Sequence, residues 1–192
     1  GMLTSVDDMN GKTSYSYDNM GRMMSRSKAI DNISYLTSYD YDVAGNMIKV
    51  TDPSGKGTSY TVDGLGRVTA VKRDAKDGLL TIAEYAYNPA GTIASVDFLN
   101  GSSTNYTYDN RDRVKQIKTT DQKGNILVRQ NLAYDAVGNR TSLSSLNEED
   151  VRYEYDNLNR LTKASWPKDS EEFKYDAAGN RLTETVDGGT TS

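Results

Sequence analysis

The chain has 192 residues and a formal net charge of −4, with 23 basic and 27 acidic side chains interspersed along it. It therefore carries no basic stripe for a phosphate backbone, and nucleic-acid binding is disfavoured. The absence of cysteine and histidine excludes disulfides, thiolate metal sites, thiol nucleophiles and the commonest general base.

The beginning of the chain carries no targeting signal. Its first residues lack the basic start and apolar core of a signal peptide, and no stretch approaches the roughly 18 consecutive apolar residues of a membrane span. We therefore expect no membrane insertion. Gly1 before Met2 indicates a residue left by cloning, so we expect a segment of a longer protein. Residues 2–10 predict a strand remnant, with Asn10-Gly11 as the turn into the first full unit.

One motif then dominates the sequence. Residues 15–22 read Tyr-Ser-Tyr-Asp-Asn-Met-Gly-Arg, and the pattern recurs with small variations through the rest of the chain. The alternation Tyr-x-Tyr places both rings on one face of a strand, because successive side chains point to opposite sides. The eight units are centred near residues 15–22, 39–46, 60–67, 85–92, 106–113, 132–139, 153–160 and 173–180.

The fourth and seventh motif positions predict a tight turn. An Asp at the fourth position accepts a hydrogen bond from the N–H two residues on, and the seventh residue takes a left-handed conformation that glycine adopts at least cost. Asp112 and Asn159 replace this glycine, and Asp and Asn are the other residues that visit the left-handed region most readily. The predicted structural turn residues are Asp18, Gly21, Asp42, Gly45, Asp63, Gly66, Asn88, Gly91, Asp109, Asp112, Asp135, Gly138, Asp156, Asn159, Asp176 and Gly179.

A second, more variable set of polar turns lies between the motif turns, so the pattern predicts sixteen strands in eight hairpins and little or no helix. Successive fourth positions are 24, 21, 25, 21, 26, 21 and 20 residues apart, so long and short intervals mostly alternate. The residue after the seventh position alternates as well, which makes a pair of hairpins the true period. These residues are Arg22, Arg67, Arg113 and Arg160 in odd units and Asn46, Thr92, Asn139 and Asn180 in even units.

The two strand faces differ in polarity. Thirteen of the 14 tyrosines occupy the motif's ring positions, and each aromatic ring buries roughly 150–250 Å², so the ladder of rings is the predicted core. The residues between the rings are mostly polar and predict a wet opposite face. Apolar residues also follow the seventh position at both two and five residues, on opposite parities, and either a bulge or a two-sided sheet would explain this.

These patterns predict an all-β fold: an antiparallel meander of about eight tandem β-hairpins in a curved or spiralling sheet. We expect a single array over residues 1–192 that ends in a polar tail at residues 187–192. Because a sheet fragment exposes its end strands, we also expect self-association through sheet edges.

The sequences Tyr-x-Tyr-Asp-x-x-Gly-Arg and Tyr-Asp-x-x-Gly-Asn resemble the YD repeat of the RHS (rearrangement hotspot) family, in eight copies from about Tyr15 to Val186. The resemblance implies a long sheet of hairpins that spirals into a hollow shell, often around a toxic or otherwise protected C-terminal domain. Here it implies only part of such a shell, with no cargo domain or self-cleavage segment. It also implies a secreted or cell-surface protein.

We therefore expect a non-enzymatic structural module, part of the β-shell of a larger protein that encloses or displays an associated domain. No catalytic residue, metal or cofactor is predicted. The motif aspartates are interpreted as turn residues in preference to calcium ligands, and the odd-unit arginines as their salt-bridge partners in preference to a ladder for an anionic polymer. The alternative is a surface module that binds carbohydrate or a protein partner, with Trp166, beside Pro167, as the candidate exposed contact.

Overall fold

The computed structural model describes residues 1–9, 11–31, 33–186 and 189–191, and these residues form strands and turns without any helix. Consecutive strands pair antiparallel from β1 to β8 and from β10 to β18. The predicted all-β meander of tandem hairpins is confirmed. The strands are β1 Ser5–Asp8, β2 Gly11–Tyr17, β3 Met23–Ile30, β4 Ile33–Tyr41, β5 Met47–Thr51, β6 Gly57–Val62, β7 Val68–Ala75, β8 Gly78–Tyr87, β9 Ile93–Phe98, β10 Ser103–Tyr108, β11 Val114–Thr120, β12 Ile126–Tyr134, β13 Arg140–Ser145, β14 Val151–Tyr155, β15 Leu161–Ser165, β16 Ser170–Tyr175, β17 Arg181–Val186 and β18 Gly189–Thr191.

The chain divides into two compact units. The first comprises Gly1–Ala86 together with Asp97–Leu99, and contains β1 to β7 and nearly all of β8. The second comprises Tyr87–Val96 and the chain from Asn100 onward, and contains β10 to β18. Within each unit, the strand that enters a motif turn is here called the leading strand and the strand that leaves it the returning strand.

Two strands lie outside the sixteen that the turn count predicts. One is β1, in the region predicted to hold a strand remnant. The other is β18, whose backbone pairs with β17 through Val186↔Gly189, Thr185↔Thr190 and Glu184↔Thr191, inside the region predicted as a polar tail. Asn10 of the turn predicted before the first unit, Asn32 of the predicted second turn Asp31-Asn32, and the tail residues 187, 188 and 192 lie outside the described residues.

The alternating repeat length comes from the hairpins at the second turns. Strands β3, β4, β7, β8, β11 and β12 have 8, 9, 8, 10, 7 and 9 residues, whereas β5, β6, β13 and β14 have 5 or 6. Because the motif turn fixes one end of each strand, the additional residues of the longer intervals lengthen the strands at the end that meets the second turn. The last interval departs from the alternation because β15 and β16 are short.

A bulge in the motif hairpins explains the apolar residues of opposite parity. Ser16 pairs with Ser25 but Tyr17 pairs with Met23, so Met24 has no partner. The same shift by one residue follows Asp40, Thr61, Thr107, Ala133, Glu154 and Lys174. The sequence left two explanations open, a bulge and a two-sided sheet, and the structure shows the bulge.

Burial in the described residues is shallow. The most buried positions are small or β-branched residues, 4–8% exposed, and no large side chain is fully buried. The motif rings are half-buried, so the prediction that the rings themselves form the core holds only in part. The residues between the rings are exposed, which confirms the wet opposite face: Ser16, Asp40, Thr61, Ala86, Thr107, Ala133, Glu154 and Lys174. We call the other side the ring face.

Candidate functional site: the repeated turns

The motif turn is a closed backbone loop. In the first unit the N–H of Asp18 donates to the carbonyl of Arg22 at 2.9 Å, and the N–H of Gly21 donates back to the carbonyl of Asp18 at 3.0 Å. The same two bonds occur in six further turns, opened by Asp42, Asp63, Asn88, Asp109, Asp156 and Asp176. In the turn of Asp135 the N–H of Gly138 donates instead to the aspartate carboxylate, at 2.8 Å.

The seventh motif position is left-handed in all eight turns. The dihedral φ is +56° at Asp112 and +61° at Asn159, the two positions where the sequence lacks glycine. The six glycines have φ between +77° and +109°: Gly21, Gly45, Gly66, Gly91, Gly138 and Gly179.

The carboxylate of the fourth position is satisfied inside its own turn. Oδ1 of Asp18 accepts the N–H groups of Met20 and Arg22, both at 2.9 Å, while Oδ2 accepts Nε of Arg22 at 2.6 Å. The bond from the N–H two residues on is the predicted one. The second bond comes from the N–H four residues on. No residue type in the sequence predicts it, and only the length of the turn indicates it.

The odd-unit arginines form the predicted salt bridges within their turns. Guanidinium and carboxylate are 2.6–2.7 Å apart in the pairs Arg22–Asp18, Arg67–Asp63, Arg113–Asp109 and Arg160–Asp156. The aspartate side chains are only 19–24% exposed in these pairs. Because both charges are committed to each other, the structure favours the turn role over a ladder for an anionic polymer.

The same arginines also reach the next hairpin. Nη1 of Arg22 donates to the carbonyl of Asp42 at 3.2 Å, and its guanidinium lies 4.8 Å from the ring centre of Tyr41. Arg113 and Arg160 make equivalent contacts with the hairpins that follow them. Three of the four even units carry Asn at this place and the other carries Thr92. Nδ2 of Asn139 donates to both Oδ2 of Asp135 and Oδ1 of Asn159, at 2.9 Å. The alternation therefore reflects two different junctions between turns.

The second ring of the motif joins neighbouring hairpins through its hydroxyl. The hydroxyl of Tyr41 donates to the carbonyl of Met23, two residues after the glycine of the preceding turn, at 2.9 Å. Tyr108, Tyr134, Tyr155 and Tyr175 donate to the equivalent carbonyls at 2.7–2.9 Å. Sequence reasoning assigned these tyrosines to packing and missed the hydroxyl ladder. Val62 occupies the same position without a hydroxyl.

Hydrogen bonds lower the pKa of the motif carboxylates. The largest single influence is the N–H of Arg22 for Asp18, the Asn46 amide for Asp42, the Arg67 guanidinium for Asp63, the N–H of Arg160 for Asp156 and the Asn180 amide for Asp176. At Asp109 and Asp135 desolvation is the largest influence and raises the pKa, but the combined hydrogen bonds lower it further than that. Burial raises the pKa of Tyr108 and Tyr155.

Two of the second turns repeat the motif turn without its rings. Oδ1 of Asp52 accepts the N–H groups of Ser54 and Lys56, and Asp121 accepts those of Lys123 and Asn125. Hydrogen bonds lower the pKa of both carboxylates, with the Ser54 hydroxyl and the Asn125 amide as the largest influences. The signal was present, because each aspartate is followed three residues later by a glycine. Both belong to the second, more variable set of polar turns predicted from the sequence.

Trp166 lies in the tight turn between β15 and β16. Its backbone N–H donates to the carbonyl of Asp169 at 2.8 Å. Its side chain is half-buried and borders three open depressions. Polar side chains also line them, among them Glu149, Arg152 and Glu171.

Over the described ranges, no group of three or more acidic side chains has the arrangement of a metal site. The part of the chain that the structure describes also contains no helix long and apolar enough to cross a membrane.

Comparison with known protein families shows one that matches this chain. A family model described as the teneurin YD-shell matches residues 2–128. No curated protein sequence matches the chain.

Several solved structures are similar to the chain. The crystal structure of TcdB2-TccC3 superposes with a TM-score of 0.85 at 19% identity, over 100% of this chain and 12% of that one. The crystal structure of TcdB2-TccC3-Cdc42 gives 0.84 at 20% identity, over 97% and 12%. A Photorhabdus luminescens Tc holotoxin pore gives 0.82 at 20% identity, over 97% and 11%. The chain thus has the fold of a segment of these proteins and spans 11–12% of their length.

Proposed function

The chain belongs to the teneurin YD-shell family, and from this premise we propose that it is a non-enzymatic structural module, part of the wall of a larger shell-forming protein. The observation that carries the proposal is the internal use of the motif's polar groups. The motif carboxylates bind N–H groups of their own turns, and the arginines and tyrosines join one hairpin to the next. Side chains committed in this way build a wall, because the motif carboxylates that would serve as acids or bases already hold the N–H groups of their own turns.

We propose that the larger protein encloses or displays an associated domain and acts outside the cell, secreted or at the cell surface. The likeness to a Tc holotoxin pore supports this proposal. In a shell, one face of the sheet borders a closed interior and the other borders solvent, so large molecules reach only one of them.

Thiol accessibility tests enclosure, because the chain has no cysteine of its own. Ser16→Cys places a thiol on the exposed face, and Tyr35→Cys places one on the ring face at a residue that is 45% exposed. In the 192-residue chain we expect both thiols to react with a small maleimide and with a maleimide carrying a large polymer. In the parent protein we expect one of them to react with the small reagent only. Equal reaction of both thiols with the large reagent in the parent contradicts enclosure.

A second candidate function is a surface that binds carbohydrate, favoured by the half-buried Trp166 and the depressions that it borders. Aromatic rings beside polar groups are typical of sugar contacts. Titration of glycans against the intrinsic tryptophan fluorescence tests it directly, because Trp166 is the chain's single tryptophan. Saturable quenching that Glu171→Gln weakens supports binding at this turn. No fluorescence change across a glycan panel leaves the shell proposal alone.

A further inference from the structure

The last repeat departs from the other seven at one position of the ring face. The residue two places before the first motif position is neutral in seven units, and the four most buried of these residues are 6–8% exposed. In the eighth unit this residue is Glu171. A charge therefore stands where the rest of the array places neutral side chains. The seven neutral residues are Thr13, Thr37, Thr58, Ala83, Thr104, Gln130 and Val151.

The neighbours of Glu171 in the sheet give its carboxylate no counter-charge. Glu171 pairs with Ala164 of β15 on one side and with Val186 of β17 on the other. Ala164 is 4% exposed and Val186 is 45% exposed. The Glu171 side chain is half-buried, and no ion pair or hydrogen bond within the described part of the chain involves its carboxylate. Such a group is stabilised when a cation reaches it.

Glu171 borders a depression of about 340 Å³ in the second compact unit, which we call the Trp166 depression. Trp166 and Val186 contribute apolar surface to its wall, and Glu149, Asp169 and Glu171 contribute carboxylates. No basic residue of the described ranges lines it. The carboxylates of Glu149 and Asp169 likewise take part in no ion pair among the described residues. The depression therefore combines one tryptophan with three uncompensated negative charges.

The basic side chains of the flanking strands are engaged with other carboxylates. Lys163 of β15 binds Glu172 at 2.7 Å, and Arg181 of β17 binds Glu184 at 3.2 Å. Lys168, in the turn between β15 and β16, lines a neighbouring depression and not this one. The described part of the chain thus supplies no cation to the Trp166 depression.

A basic side chain from another molecule has the chemistry that fits this depression. Its cation is attracted to the face of a tryptophan ring and forms charge-assisted hydrogen bonds with carboxylates. Its apolar stem packs against apolar surface such as that of Val186. A volume of about 340 Å³ lies at the small end of ligand pockets, which measure roughly 300–1,000 Å³. This size suits a single side chain.

We propose that the Trp166 depression is a docking site for a basic segment of a partner protein, with one lysine or arginine side chain in the depression. The stem of this side chain packs on Trp166 and Val186, and its cation binds Glu171, with Glu149 and Asp169 beside it. Charge complementarity selects this occupant, because a neutral or acidic segment would leave the carboxylates without a counter-charge. This site is independent of the shell proposal, and it differs from the carbohydrate candidate in requiring a positive charge.

Two peptides test the charge requirement. The test peptide is acetyl-Gly-Lys-Gly-Lys-Gly-amide, and the control peptide carries acetylated lysines, which keep the stem and lose the charge. Both are titrated against the fluorescence of Trp166, the single tryptophan of the chain, at constant ionic strength because salt screens exposed charges. We expect a saturable change with the test peptide and none with the control peptide.

Charge-neutral variants of the chain locate the contact. Glu171→Gln and Glu149→Gln should each weaken binding of the test peptide roughly fivefold, as expected for a partly exposed ion pair. Glu154→Gln, on the exposed face of β14, is the matched control and should leave the affinity unchanged. Glu149 lies outside the strands, so its variant decides the question if Glu171→Gln lowers the midpoint of thermal unfolding.

Equal responses to the two peptides would overturn the proposal. So would equal effects of Glu149→Gln and Glu154→Gln on the affinity, because the peptide would then bind elsewhere on the chain. A response to a neutral glycan with none to the test peptide would also overturn it, and would support the carbohydrate candidate instead.

Discussion

The carboxylate at the fourth motif position defines each turn at the scale of the residue. Oδ1 of Asp63 accepts the N–H groups of Leu65 and Arg67 at 2.9 and 3.0 Å, and Oδ2 accepts Nε of Arg67 at 2.8 Å. These bonds hold a short loop that closes only when the seventh residue is left-handed. The turn therefore places strict demands on two residues and few on the residues between them.

We predict that Gly66→Val costs about 1–2 kcal/mol or more in the free energy of unfolding, because φ is +77° and a β-branched side chain there crowds the backbone. The added Cβ would also lie 2.8 Å from Oδ1 of Asn46. Gly64→Val is the matched control in the same turn, since a Cβ at Gly64 meets nothing within 4 Å. Urea unfolding of both variants measures the difference. Equal losses would mean that backbone conformation is not what selects glycine at the seventh position.

We predict that Asp112→Gly leaves stability between unchanged and about 1 kcal/mol higher. Glycine relieves the left-handed strain at φ +56°, although the freer unfolded chain offsets part of the gain. Asn159→Gly should gain less, because Oδ1 of Asn159 accepts a bond from Asn139 that glycine loses. Chemical denaturation checks the order of the two variants. A clear loss at residue 112 would show that the Asp side chain itself stabilises the turn.

At the scale of the element, the hairpins are joined through polar groups as well as through strand pairing. Arg22, Arg113 and Arg160 each reach the next hairpin. Second-ring hydroxyls reach back to the preceding one, as between Tyr134 and Val114 at 2.9 Å. Backbone ladders fix neighbouring strands, whereas these bonds connect turns that lie at the same end of successive hairpins. They make the junction between hairpins a specific contact.

We predict that Val62→Tyr stabilises the junction between β4–β5 and β6–β7. The register Val62↔Val68 matches Tyr108↔Val114, so the new hydroxyl would reach the carbonyl of Met47 and contribute about 0.5–1.5 kcal/mol. Val62→Phe controls for the added ring. The quantity to compare is the difference in the free energy of unfolding between the Tyr and Phe variants. No difference, or a more stable Phe variant, would show that the hydroxyl ladder does not contribute at this junction.

At the scale of the whole molecule, stability is distributed over many small contacts. The buried residues are alanines, valines and threonines, and the described turns repeat one network of hydrogen bonds. Such a protein has no single central cluster whose loss unfolds it, which is typical of repeat architectures. It follows that a change of solution conditions that acts on all turns at once has a larger effect than one substitution.

Acid is such a change, because hydrogen bonds lower the pKa of nine turn carboxylates below the ordinary 3.8: Asp18, Asp42, Asp52, Asp63, Asp109, Asp121, Asp135, Asp156 and Asp176. A lowered folded-state pKa stabilises the fold above the unfolded-state value and loses this effect as the pH falls through the folded-state value. We therefore predict a steep fall of the thermal midpoint below about pH 4. Circular dichroism melts between about pH 6 and 2 measure it.

Two substitutions assign the acid effect to the turns. Asp63→Asn should flatten the decline below about pH 4, because one linked carboxylate is removed and an asparagine already occupies this turn position at residue 88. Asp40→Asn, between the rings on the exposed face, should leave the decline unchanged. A midpoint that stays constant down to about pH 3 would contradict the linkage between the turns and stability.

The sequence by itself determined the features that depend on residues close together in the chain. The alternation Tyr-x-Tyr followed by Asp-x-x-Gly predicted the motif turns and the polar face, because a strand's two sides and a left-handed residue are decided within a few residues. Asp112 and Asn159, both with positive φ, show that even the exceptions to glycine obeyed this local rule. The salt bridge between Asp18 and Arg22 spans four residues and was predicted for the same reason.

Only the tertiary structure decided what happens between hairpins. The hydroxyl of Tyr41 meets Met23 eighteen residues away, and Arg22 meets Asp42 twenty residues away, at distances set by the spacing and register of strands. The sequence left a bulge and a two-sided sheet open, and only the structure places the bulge at Met24, because an unpaired residue is defined by its partner strand. Burial is of this kind: Val6 is 39% exposed and Val96 is 5% exposed, because burial depends on which strand lies beside a residue, and no local pattern encodes that neighbour.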